Sequence, residues 1–175
     1  EKQEGICSIC GAKQSRDNGS KLTATMKLNV TSIKLQKKQT TTKAKVTGLA
    51  NGDSVKSWTS SNKKIVTVDK NGKIKAGKKT GSAKITITLK SGKKATLKVK
   101  VQSAKVKTTK LTGLKTKLTL KKGKSLTLKP VVAPITSQEK VTYTTSNKKV
   151  ATVTKNGVIK AKKKGTVTIT VKSGK

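Results

Sequence analysis

The sequence predicts an all-β protein built as two tandem antiparallel β-sandwiches, and three observations predict it. First, residues 58–76, WTSSNKKIVTVDKNGKIKA, return as residues 143–161, YTTSNKKVATVTKNGVIKA, with thirteen of nineteen positions identical at an offset of 85. A gap-free match of that length marks one supersecondary unit written twice. Second, apolar residues alternate with polar ones along short runs, the period of a strand with one buried face. Third, turn signals fall roughly every eight to twelve residues, and nowhere do apolar residues keep a helical spacing for three turns. An antiparallel sandwich needs only such turns, whereas parallel strands need long crossovers.

The elements follow in chain order. Residues 1–24 read as a flexible N-terminal tail that holds Cys7 and Cys10. The first sandwich is expected over 25–103 and opens with a strand carrying Ile33 and Leu35. Trp58 then stands at the start of the repeated stretch as the one large aromatic of its unit. It is expected to fill the middle of a small Val, Ile, Leu and Ala core between two sheets. Asn71-Gly72 separates two short apolar runs, and Asn-Gly supplies the positive φ angles of a tight hairpin. Ala83, Ile85, Ile87 and Leu89 form one arm of a hairpin, and Ala95, Leu97, Val99 and Val101 the other, joined by Ser91-Gly92-Lys93.

The second sandwich, over 104–175, repeats this order with Leu118 and Leu120 as its opening strand, Tyr143 as its aromatic and Asn156-Gly157 as its turn. Val167, Ile169 and Val171 repeat the first hairpin arm. The chain stops at Lys175, the counterpart of Lys93, so the strand matching Ala95 to Val101 has no copy. The second unit is therefore expected to be C-terminally truncated, to expose unpaired backbone and part of its core, and to be the less stable half.

Chemistry is constrained mainly by what the composition lacks. Among 175 residues there are 43 basic and 6 acidic side chains, a net charge of +37, and no histidine or phenylalanine. A Ser-His-Asp arrangement is excluded without histidine. Two carboxyls roughly 5–10 Å apart, as glycoside hydrolysis uses, and a carboxylate-rich calcium cage cannot be built in both units, because Glu139 is the one acid of the second. The same shortage disfavours an internal Lys–Asn isopeptide bond, which wants a buried acid beside it. Asp69 reads as a turn residue beside Asn71-Gly72. The chain is read as no enzyme, with no cofactor.

Cys7 and Cys10, in ICSICG, have the shape of half a zinc site. Two of four ligands are present and no histidine completes them. Two readings stay open: a half-site completed by residues upstream of Glu1, or a disulfide in an extracellular tail. The start at Glu1, without a charged-then-apolar leader, reads as a segment of something longer, and no apolar run of about 18 residues offers a membrane span.

The stretch from the aromatic through (T/S)SN-x-x-(V/I)-(A/V)-T-V, then K-N-G-x-(I/V)-x-A, then G-(T/S)-(A/V)-x-I-T-(V/I), resembles the group 2 bacterial immunoglobulin-like domain. The likeness occurs twice and covers about 150 of the 175 residues. It implies two immunoglobulin-like sandwiches and an extracellular, non-catalytic module of a bacterial surface or secreted protein, acting as spacer or adhesion unit. The first unit has one extra residue near Thr80 and two before Ser91, at a loop and a strand end where insertions cost little.

The lysines sit on outward strand positions between threonines, as in Lys98-Val99-Lys100. They solubilise the surface and guard strand edges, yet +37 also repels itself. Diffuse attraction to an anionic wall polymer, an acidic host glycan or protein, or DNA without sequence preference would relieve that. One arginine and two aromatics leave little for base-specific contacts. An accessory carbohydrate-binding role would need an exposed ring. A monomeric fragment of a larger multidomain chain is expected.

Overall fold

The computed structural model of the chain describes residues 3–6, 13–16 and 23–174. Cys7 and Cys10 lie outside the described residues. β1 (Gln3–Ile6) and β2 (Lys13–Arg16) pair antiparallel, so part of the stretch expected as a flexible tail is a hairpin. With one apolar residue, Ile6, among the eight strand positions, the pair gives no apolar alternation to read.

The first unit has β3 (Lys27–Leu28), β4 (Ser32–Gln36), β5 (Thr40–Thr41), β6 (Val46–Thr47), β7 (Val55–Ser60), β8 (Val66–Val68), β9 (Ile74–Ala76), β10 (Gly81–Leu89) and β11 (Lys94–Gln102). They form a four-stranded sheet in the order β4-β11-β10-β7, a three-stranded sheet β5-β9-β8 and the short pair β3-β6. Between the sheets lie Leu35, Val66, Ile74, Ile85, Ile87 and Leu97, all at 0% exposure. β10 and β11 pair with Ile85 opposite Leu97, the hairpin expected from the alternation.

One pair departs from the all-antiparallel expectation. β11 runs parallel to β4, from Lys98 opposite Ser32 to Gln102 opposite Gln36. The first and last strands of the four-stranded sheet lie side by side, so the crossover that a parallel pair requires is everything from β5 to β10.

The second unit has β12 (Lys110–Thr112), β13 (Ser125–Thr127), β14 (Val131–Ala133), β15 (Val141–Thr145), β16 (Ala151–Val153), β17 (Val158–Ala161) and β18 (Ile169–Ser173). The sheet β13-β17-β16 matches β5-β9-β8, and β12-β14 matches β3-β6. The four-stranded sheet is halved to β15-β18, with Tyr143 opposite Val171 as Trp58 is opposite Ile87. Leu118 and Leu120 do not form the expected opening strand, and Leu118 is 41% exposed. Their counterparts Ile33 and Leu35 hydrogen-bond along β11, and among the described residues the second unit has no β11. A cavity of about 400 Å³, lined by Leu118, Leu120, Ile159, Ile169 and Val171 among others, opens where that strand's side chains would pack.

The two units touch through polar atoms. The Thr136 hydroxyl, on a residue 1% exposed, donates to the Lys34 carbonyl at 2.6 Å. Gln39 Nε2 donates to the Thr136 carbonyl at 2.8 Å, and Gln138 Nε2 to Gln36 Oε1 at 3.0 Å. Ile135 packs against the core of the first unit. No described helix is long and apolar enough to cross a membrane.

Candidate functional site

Each aromatic is held by the turn that follows it in the repeat. Trp58 is half-buried against the core on β7, and a Cβ placed on Gly72 would stand 2.7 Å from its Cζ2. Tyr143 repeats this: a Cβ on Gly157 would meet its Cζ at 2.8 Å. Trp58 packs on the core as expected of it, but both rings are half-buried and each meets a turn glycine. Both rings are half-buried, so neither stands out as a fully exposed platform of the kind a sugar-stacking reading requires. The exposed large apolar side chains among the described residues are Leu118 and Val131.

The turns themselves differ from the expected type. Only glycine takes positive φ, +76° at Gly72 and +77° at Gly157, while Asn71 and Asn156 do not. Gly72 N–H donates to the Asp69 carbonyl at 3.1 Å and Asp69 N–H to the Lys73 carbonyl at 3.1 Å. That is a longer turn closed by a left-handed glycine, not a two-residue loop with both central residues left-handed. Glycine is needed twice over, for φ and for the ring above it.

The acids serve the backbone. Asp69 Oδ1 accepts from Asn71 and Lys73 N–H, both at 2.9 Å, the turn role expected of it. Glu139 Oε2 accepts from Thr108 N–H at 2.6 Å. Asp53 Oδ2 accepts from the Ser91 hydroxyl at 2.6 Å, and its Oδ1 from Ser54 and Ser91 N–H at 2.8 and 3.2 Å. The Ser91 hydroxyl, then the two N–H groups and nearby Lys90, hold the Asp53 carboxyl below the usual carboxylate range. A depressed folded-state value stabilises the fold above the unfolded value of about 3.9 and ceases to do so as pH falls through the lower folded one. Melting followed from pH 5 downward should therefore show a smaller acid-induced fall in Asp53→Asn than in the parent chain. Equal falls would show that the Asp53–Ser91 clasp does not form in solution. No three described metal-ligating side chains group together.

What remains is lysine. In the described ladders, lysine faces lysine at two places, Lys84 opposite Lys98 and Lys100 opposite Lys34, both on the outer face of the four-stranded sheet. Every other strand lysine in a registered pair faces Thr, Ser, Ala or Ile, as Lys75 faces Thr40 and Thr67. These pairs form part of a groove of about 1170 Å³ running to the junction of the units. The composition signals the charge, but only register places two pairs face to face.

The described residues thus form an all-β pair of sandwich-like units, each with a ring packed on a turn glycine. The chain belongs to the bacterial Ig-like domain (group 2) family, matched over residues 23–99 and again over 102–175. It is also similar to the kappa-carrageenase of Pseudoalteromonas carrageenovora, 57% identical over 58 residues, which are 33% of this chain and 15% of that enzyme. The chain thus spans about a seventh of that relative's length. Among solved structures, human protocadherin-24 EC1-2 aligns over 81% of this chain and 78% of its own, with 16% identity and a TM-score of 0.37. Murine CEACAM1b aligns over 85% and 96%, with 12% identity and a TM-score of 0.26.

Proposed function

We propose that the chain is an extracellular spacer module that holds other parts of a larger secreted or surface protein at a fixed separation. The observation that carries this is the docking of one unit on the other through Thr136, buried and hydrogen-bonded to Lys34 and Gln39 across the junction. Units joined only by a linker move independently by default; buried polar atoms satisfied across a junction cost free energy to separate. The kappa-carrageenase match supports the same reading, because a related stretch there makes up a small part of an enzyme. Adhesion is the companion role, and the facing lysine pairs favour an anionic polymer as what is held.

Rigidity is directly measurable. With Cys7 and Cys10 replaced by serine, spin labels at Lys70→Cys and Lys155→Cys should report one narrow inter-unit distance distribution, and Thr136→Val should broaden it. A parent distribution already as wide as that of a flexibly linked pair would overturn the spacer reading.

A further inference from the structure

The outer face of the four-stranded sheet carries a charge arrangement that the fold does not require. Like charges directly opposite on neighbouring strands destabilise a sheet, and here two such pairs lie next to each other. Lys98 and Lys100 are two residues apart on β11, so they share a face. Neighbouring strands lie about 5 Å apart and alternate residues about 7 Å, which sets the backbone positions of the four lysines close together on that face. All four are exposed, and Lys105 and Lys107 line the same groove from the stretch leading into the second unit. No acid lines it.

The second unit does not repeat this arrangement. The counterparts of Lys34 and Lys84 are Thr119 and Thr168. The backbone at the latter position is the same: Lys84 N–H donates to the Ser61 hydroxyl at 2.9 Å and Thr168 N–H to the Ser146 hydroxyl at 3.1 Å. Neither threonine lies in a strand, since β18 begins at Ile169 and residues 118–120 form none, so the facing lysine pairs belong to the first unit alone.

We infer that this groove binds a linear anionic polysaccharide. The inference rests on the adhesive role proposed above and gives it a place. The lysines supply closely spaced cationic points, and Ser32, Ser61 and Ser82 are interleaved with them as hydroxyl partners for a sugar chain. Neither an aromatic nor arginine lines the groove, so stacking on bases and bidentate base or phosphate clamps, the usual means of holding nucleic acid, are missing.

The test uses the whole chain and a short heparin oligosaccharide at low salt, with dextran sulfate, uncharged dextran and duplex DNA alongside. The quadruple variant Lys34→Thr, Lys84→Thr, Lys98→Thr, Lys100→Thr removes the facing pairs. A second quadruple, Lys63→Thr, Lys70→Thr, Lys148→Thr, Lys155→Thr, removes the same charge from exposed turn positions. The groove variant should bind heparin at least about tenfold more weakly and with a shallower salt dependence, as expected when several neutralised charges are removed; the turn variant should change by less than about threefold. The double variant Lys84→Gln, Lys98→Gln should move in the same direction, which keeps the test informative if four threonines disturb folding. Equal losses in the two quadruples would overturn the groove and leave general polyanion attraction standing. No binding of either sulfated polymer by the parent chain would overturn both. DNA bound as tightly as heparin, and lost equally in the groove variant, would overturn the polysaccharide assignment.

Discussion

Ile85→Ala should destabilise the first unit by about 4 kcal/mol, whereas Ile169→Ala, the matching change in the second unit, should cost only about 1–2 kcal/mol. Ile85 is fully buried on a central strand, with Leu97 opposite it on one side and Ser60 on the other. Trimming it leaves a cavity in a closed core, and the cost grows with the void. Ile169 is half-buried, faces Thr145 on one side, and already lines a cavity of about 400 Å³. Removing three carbons there enlarges a space that exists. The chain carries its own reporters: Trp58 fluorescence follows the first unit and Tyr143 the second. Urea titrations should give two transitions, the tyrosine one at lower denaturant, and the Ile87 amide should exchange far more slowly than that of Val171. Equal costs and equal protection would mean that the second unit closes its sheet by another route.

Trp58→Ala should cost about 3 kcal/mol, at the lower end of the range for a large aromatic because the ring is only partly buried. The loss has two parts. The inner face of the ring leaves the core beside Ile87, and its outer edge uncovers Gly72, which is buried beneath it. Trp58→Tyr should be far milder, under about 1.5 kcal/mol, because Tyr143 does the same over Gly157. Tryptophan emission of the folded parent should be blue-shifted from that of the urea-unfolded chain. Emission at the water-exposed wavelength in the native state would remove the ring from this position.

The repeat shows where sequence reading succeeds and where it stops. Ile85, Ile87 and Leu89 declare a strand because alternation is local, and the Trp58 and Tyr143 equivalence follows from identity alone. Direction and partnership are not local. Ile33-Lys34-Leu35 and Leu118-Thr119-Leu120 have the same pattern, yet only the first is a strand, because only the first has β11 to hydrogen-bond with. Nothing in a period of two says whether a neighbour runs parallel, so the β4–β11 pairing was invisible. Thr136 and Gln138 sit in a stretch without periodicity, and their contacts span about a hundred residues of chain. The lysine groove was half visible: its charge is in the composition, its face-to-face geometry only in the register.

The parallel β4–β11 pair has a mechanical consequence. Chain enters the first unit's main sheet through β4 and leaves it through β11, the two strands that lie side by side. Tension applied along the polypeptide would pull them in opposite directions along their shared axis. Their ladder would then be sheared, with its hydrogen bonds strained together, and not peeled open one bond at a time. In the first unit the tensile clamp would thus stand where the chain enters and leaves its main sheet.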